Sequence, residues 1–193
     1  MFDANTDIVV VTNKVRKSLI TPHLINVPYK MSFTPDYELP KGFDPKVKGL
    51  THNHLGTYRC FKGHQLAIAT SEKERVLIFE DDAVPKNPNW INVINKAIPL
   101  LDDFEMVSFH GRGYHTKDFK STLKNYAYMQ PIIKKTWIVA ALAYLISRKS
   151  YEKIVSKQYE GVPFDLLLYW DLDYCVIANS PFIHDRSEGS LVD

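Results

Sequence analysis

Cysteine is nearly absent. Cys60 and Cys175 are the only two in 193 residues, and neither belongs to a Cys-x-x-Cys pair, which excludes a zinc knuckle and a disulfide framework. An excess of one charge is lacking too. Twenty-four Lys and Arg stand against 22 Asp and Glu, a net charge of +2, so the strongly basic face of a dedicated nucleic-acid binder is not expected. Long hydrophobic runs are missing as well. The longest, Ile138 to Ile146, falls far short of the roughly 20 residues that cross a bilayer. Near the N-terminus, Ile8 to Val11 is too short for the apolar part of a signal peptide, and acids precede it. Repeats and low-complexity tracts are absent. A soluble, cytoplasmic chain with no membrane span and no nucleic-acid partner is the expectation.

What is present suits one globular domain. The chain is 45% apolar, 24% charged and 12% aromatic, enough for a single large core. "DIVVVTN" (7–13) is an unbroken, β-branched run that reads as a strand buried on both faces, the kind found in helix-covered parallel sheets. "VLIFEDD" (76–82) and "EMVSFHG" (105–111) are of the same type, and "CVIANSPFI" (175–183) reads as a further strand. "AALAYLISRKS" (140–150) fits strand or helix equally. Helical patterns lie between. "GTYRCFKGHQLAIATS" places Tyr58, Phe61, Leu66 and Ile68 roughly on one side, "WINVINKAIPLLDD" starts after an Asn-Pro-Asn turn, and "SRKSYEKIVSKQ" and "PFDLLLYWDL" follow. Alternating strands and helices predict an α/β fold with a mostly parallel central sheet flanked by helices. Residues 28–54, with four prolines, two glycines and no period, read as a long functional loop.

"RVLIFEDDAVPKNP" (75–88) carries the chemistry. Four apolar residues run directly into Glu80, Asp81 and Asp82, and two unit charges about 4 Å apart repel by roughly 4 kcal/mol at an effective dielectric of 20. In open α/β sheets ligands bind beyond the carboxyl ends of strands, where this triplet would sit. Alternation along an extended chain sends Glu80 and Asp82 one way and Asp81 the other. Two carboxylates on one side can hold a hard divalent cation and leave positions for phosphate oxygens. A solvated acidic loop or a helix N-terminus is the plainer alternative.

With these residues on view, the chain resembles glycosyltransferases of the GT-A, Rossmann-like fold. "LIFEDDAV" resembles the Asp-x-Asp-type signature that family 25 enzymes, the lipopolysaccharide-biosynthesis and procollagen galactosyltransferases, carry as a strand ending Glu-Asp-Asp. "CFKGHQLAI" (60–68) resembles that family's Cys-x-x-Ser-His helix, with Gly63 where Ser is usual. "LAYLISRKSYEKIV" (142–155) resembles a small and apolar segment ending Tyr-x-Ile-Ser, followed by a helix. "VPFDLLLYW" and then "NSPFIHDRS" (179–187) resemble the family's late Asp and closing Pro-x-x-x-x-x-Ser segment. The likeness touches residues 7–187, the acidic motif being its specific part. The chain is short for the family, an economy that fits a compact virus-encoded member.

The resemblance implies one glycosyltransferase domain over 1–193, its nucleotide-binding part about 1–110 and its acceptor-side part about 111–193. It implies Mn²⁺ or Mg²⁺ bridging the diphosphate of a nucleotide-sugar donor, by family weight a UDP-sugar. The sugar would pass to a hydroxyl of a glycan or glycoprotein acceptor with inversion. Asp82 is then the most direct metal ligand, Glu80 and Asp81 reach metal, ribose or sugar, and His184 is the candidate third ligand. Thr12, Asn13, Lys14 and Arg16, at the end of the first strand, would hold base and ribose; Arg59 and Lys62 would face the phosphates. An inverting enzyme needs a general base at the acceptor hydroxyl, and Asp165 is the choice, with Asp171 and Asp173 behind it. His110, Arg112 and Tyr114 would line the sugar or acceptor pocket, and Trp137 or Trp170 could stack on a sugar. Each has a plainer reading: His184 and the basic residues as surface groups, Asp165 as an N-cap, the tryptophans as core.

Three rivals stand beside this. A signalling receiver domain also opens with apolar residues and acids, but it needs a phospho-accepting Asp closing a later strand, where "EMVSFHG" has His-Gly. An inactive sugar-nucleotide or carbohydrate-binding module would keep the pocket and lose the base. A phosphohydrolase or nucleotidyltransferase would use the same carboxylates and release phosphate or pyrophosphate.

Overall fold

The structure is a computed structural model that describes residues 2–14, 18–46, 53–110, 119–124, 126–131, 141–177 and 180–185. In chain order its strands are β1 (Thr6–Thr12), β2 (Lys30–Phe33), β3 (Arg75–Glu80), β4 (Ala83–Pro85), β5 (Met106–Ser108), β6 (Phe119–Lys124), β7 (Tyr126–Pro131), β8 (Ala143–Ser147), β9 (Tyr174–Ile177) and β10 (Phe182–His184). Its helices are α1 (His54–Ala69), α2 (Trp90–Ala97), α3 (Tyr151–Val155) and α4 (Phe164–Asp171). Eight strands form one sheet in the order β2-β1-β3-β8-β5-β9-β7-β6, while β4 and β10 pair separately.

The six central strands, β2-β1-β3-β8-β5-β9, run mostly parallel, as the sequence predicts, and β7 and β6 extend the sheet through antiparallel pairings. β1 runs parallel to β2 and β3, and β5 parallel to β9; β8 lies antiparallel between β3 and β5. The order begins 2-1-3 as in a receiver domain, but the reversed β8 in its middle departs from that all-parallel sheet. The carboxyl ends of β1, β3, β5 and β9 therefore gather along one edge.

Burial on both faces explains the unbroken apolar strands. Val9 and Val11 of β1 pack with Phe61 and Ile68 of α1, Ile154 of α3 and Leu168 of α4. Ile8 and Val10, pointing the other way, pack with Trp90 and Ile94 of α2. Each such aliphatic side chain contributes about 1.5–3 kcal/mol through burial. Among the described residues no helix is long and apolar enough to cross a membrane.

Four sequence expectations need correction. The stretch 28–54 is not wholly loop, since it contains the edge strand β2. "CVIANSPFI" is two strands in different sheets, β9 and β10, because Pro181 cannot continue a ladder. The helix begun at Trp90 gives way to a 3-10 turn over Ile98–Asp102, where Pro99 lacks the N–H an α-helix needs. Leu66 is exposed rather than turned inward with Phe61 and Ile68. The ambiguous "AALAYLISRKS" resolves into β8 and a 3-10 turn.

Gly63 has a packing reason. A Cβ there would lie 3.0 Å from Thr34 Oγ1 and 3.4 Å from both Thr34 Cα and Val11 Cγ1, so α1 approaches β1 and the chain after β2 closely, and a larger residue would require Thr34 to give by a few tenths of an ångström. Asn53 starts this helix by accepting a 2.8 Å hydrogen bond from Gly56 N. Restoring the serine of the resembled motif, Gly63→Ser, is expected to destabilise the protein by about 1 kcal/mol or more through overpacking, despite the better helix propensity of serine. Denaturant melts of the two proteins check this.

Candidate active site

The acidic triplet lies at the gathered strand ends: Glu80 closes β3, Asp81 and Asp82 form a two-residue turn, and β4 rather than a helix follows. β4 then pairs with β10, placing His184 opposite Ala83. Asp185 N donates to Asp82 O at 3.0 Å, which ties the late segment to the motif. His184 Nε2 consequently sits 2.8 Å from Asp82 Oδ2. Glu80, Asp82 and His184 each offer a ligand atom, all within 4.8 Å of one another. Two carboxylates and an imidazole fit a divalent ion of the Mn²⁺ kind; Mg²⁺ favours oxygen ligands alone.

The repulsion within the triplet is divided by geometry. Asp81 turns away, and its Oδ2 accepts a hydrogen bond from Thr12 Oγ1 at the end of β1. Asp82 meets His184, and Glu80 Oε1 lies 3.4 Å from His64 Nε2 of α1. Each acid thus has its own polar neighbour. Asp81 and Asp82 are buried, at 0% and 3% exposure, so they are not a solvated acidic loop.

Asp165 lies in the first turn of α4, but the N-cap is Pro163, with no side-chain cap. The N-cap reading therefore fails. Burial pushes the Asp165 carboxyl up from the usual 3.8 to about 6, against a hydrogen bond from Leu166 N; the negative charge of Glu80 adds to the rise, and His64 opposes it. Phe164, the residue before Asp165, stacks on His64, which itself lies 3.4 Å from Glu80 Oε1, and this brings the start of α4 to the side of the acidic motif. Beside them, His64 is fully buried, stacked on Phe164 at 4.4 Å with rings 15° from parallel. Its Nδ1 is 2.9 Å from Tyr144 Oη.

The other candidates are placed as follows. Asn13 and Lys14 follow Thr12 at the end of β1, Asn13 partly buried and Lys14 exposed. Arg59 binds Tyr37 O at 3.0 Å and Asp36 Oδ1 at 2.5 Å, bracing the segment after β2. Lys62 donates to Gln65 Oε1 at 2.9 Å, on its own helix. Asp171 pairs with Lys157 at 2.9 Å, and Asp173 N donates to Glu105 Oε2 at 3.0 Å. His110 is buried, its ring 6.4 Å from that of His184. Trp170 is 40% exposed. Arg16, Arg112, Tyr114 and Trp137 lie outside the described residues. Cys60, His64 and Tyr144 entered the sequence reading within resembled segments, without a role in the site; the four-residue step from Cys60 to His64 was the available signal.

No protein-family model matches the chain, and no curated protein matches it significantly. Solved structures do. A197 from STIV superposes with a TM-score of 0.52 at 13% identity, over 95% of this chain and 87% of that one. Two further likenesses are to S. aureus TarS 1-349 and to a glycosyltransferase involved in glycosylation of the major capsid of PBCV-1. TarS gives a TM-score of 0.47 at 16% identity over 92% of this chain, and the PBCV-1 enzyme 0.40 at 12% over 77%. The chain spans 59% and 62% of the length of those two. At such identities the A197 likeness establishes the fold.

Proposed function

We propose that the chain is a metal-dependent glycosyltransferase of the family 25 type. It would move a sugar from a nucleoside-diphosphate donor, by preference a UDP-sugar, to a hydroxyl of a glycan or glycoprotein acceptor. The observation that carries this is the convergence of Glu80, Asp82 and His184 beyond the carboxyl end of β3, with Asp165 nearby and shifted to about 6. A phosphohydrolase would use the same carboxylates but release phosphate rather than a nucleoside diphosphate, so the released product separates the two readings.

Asp82, Glu80 and His184 would hold Mn²⁺, whose charge, when bound, stabilises the negative charge that builds on the departing diphosphate. Thr12 fixes the rotamer of Asp81 and so links the ribose edge of β1 to the motif. Asp165, ionised above about pH 6, takes the proton of the acceptor hydroxyl. Asn13 and Lys14, after β1, would meet the nucleoside, and inversion would follow from attack opposite the leaving group.

A melting-temperature screen of UDP-, GDP-, dTDP- and CMP-sugars, with and without Mn²⁺, tests the reading. One donor at 100 times its dissociation constant should stabilise the fold by about 2.7 kcal/mol, and only with the metal. Stabilisation by none of them, or equal stabilisation without Mn²⁺, overturns it.

A further inference from the structure

Glu80 belongs to a second group of donors. Cys60, His64 and Glu80 each present a ligand atom, and these too lie within 4.8 Å of one another. Cys60 and His64 are one turn apart on α1, so they share a face, and β3 brings Glu80 up to it. We propose that Cys60, His64 and Glu80 form a second cation site, for a borderline transition metal of the Zn²⁺ class, sharing Glu80 with the carboxylate site.

His64 is the observation that points to a ligand. It is completely buried, and its Nε2 makes no hydrogen bond among the described residues. The 3.4 Å approach to Glu80 Oε1 is an ion-pair distance without hydrogen-bond geometry. Leaving a buried ring nitrogen unsatisfied costs about 1–3 kcal/mol. Its other nitrogen is held at 2.9 Å by Tyr144 Oη, the outer contact that fixes the tautomer and aim of metal-binding histidines. In the tautomer whose Nδ1–H donates to Tyr144 Oη, the Nε2 lone pair is free for a cation beside Cys60 and Glu80.

The donor types and spacing agree with the metal. Thiolate, imidazole and carboxylate bind Zn²⁺ at about 2.0–2.3 Å, so ligand atoms around a tetrahedral ion stand about 3.3–3.6 Å apart. The ligand atoms here lie within 4.8 Å of one another, and binding would draw them in to that spacing. Cys60 is partly buried as a residue and His64 completely buried, so the site is largely shielded from solvent. On binding, the thiol gives its proton to solvent and a sulfur–metal bond replaces the S–H bond. Glu80 has two oxygens and can serve one cation with each. The assignment stands without the glycosyltransferase reading, since it depends on no donor or acceptor.

Co²⁺ reports the difference optically. Full-length protein stripped with a chelator and titrated with Co²⁺ should develop a near-ultraviolet thiolate-to-metal absorption band. Cys60→Ser should lose the band. Cys175→Ser should keep it, as should Asp82→Asn, which disables only the carboxylate site. Tyr144→Phe, close to isosteric, should weaken Zn²⁺ binding about 10–100-fold by chelator competition, the usual cost of losing an outer-shell partner. No band in the wild-type protein at saturating Co²⁺ overturns the proposal with no variant needed. So does a band that survives Cys60→Ser or disappears with Asp82→Asn, and so does unchanged Zn²⁺ affinity in Tyr144→Phe; a plain hydrogen-bonded core cluster would give the first of these results.

Discussion

Asp82→Asn should remove Mn²⁺-dependent binding of nucleoside diphosphate while leaving a fully folded protein. The amide keeps the shape of the side chain and can still pair with His184 Nε2, which stands 2.8 Å from Asp82 Oδ2. It loses the negative charge a hard divalent ion requires. Outer-shell partners of metal ligands cost about 10–100-fold in affinity when lost, so removal of a direct charged ligand should exceed 100-fold or so. The fold should not suffer, because neutralising one of three adjacent acids relieves their repulsion. Calorimetric titration of Mn²⁺ in the presence of UDP reads the affinity, and a parallel melt reads the fold. Unchanged metal affinity in the variant would remove Asp82 from the site. The same titration on Thr12→Val separates contributions, since the Thr12 hydroxyl donates to Asp81.

Much of this site was legible because local rules govern it. The grouping of Glu80 with Asp82 and the departure of Asp81 were expected from alternation along a strand. The structure has that grouping, with His184 beside Glu80 and Asp82 and Thr12 beside Asp81, but it is the turn at Asp81 and Asp82 that produces it, since β3 ends at Glu80. The fourfold apolar runs of β1 and β3 announced strands covered on both faces, and both are buried throughout their centres. His184 was a candidate from its position after "SPFI", although only the pairing of β10 with β4 carries it to Asp82.

What was illegible depends on partners distant in the chain. β2 is an edge strand with a single buried residue, Ser32, so its side chains carry no alternating apolar signal. The two halves of "CVIANSPFI" are equally apolar, and nothing local says that they join different sheets. The environment of His64 comes from Glu80, Tyr144 and Phe164, which are 16, 80 and 100 residues away along the sequence. The shift of Asp165 is mainly burial, produced by the packing of α4 against α1 and the sheet. A sequence names such a carboxyl; only the fold tunes it.

Asp165→Asn should make the protein a poorer enzyme and a more stable one. For activity, the amide keeps the size of the carboxyl but cannot accept the acceptor's proton, and loss of a general base alone typically costs about 10²–10⁴ in rate. Donor affinity should hardly change, since the base faces the acceptor, so the loss should appear in turnover. In the wild type, transfer should fall as pH drops through about 6, where the carboxyl takes up its proton. Stability moves the opposite way. The folded-state value of about 6 lies above the usual 3.8, so between those values the native protein binds more protons than the unfolded chain, and stability declines as pH rises across that window. Above pH 6 the cost is complete and constant; below 3.8 both states are protonated and it vanishes. A rise of about two pKa units corresponds to roughly 3 kcal/mol, which partial access to solvent reduces to about 2. Asparagine never ionises, so the variant should be about 2 kcal/mol more stable than wild type at pH 7.5 and nearly equal to it at pH 3.5. Denaturant melts at the two pH values and a sugar-transfer assay measure both halves. Wild-type transfer by Asp165→Asn would move the base elsewhere, to Asp171 or Asp173 for testing. A variant less stable than wild type at pH 7.5 would mean that the carboxylate is favourably paired in the fold, and the burial argument for its role would go with it.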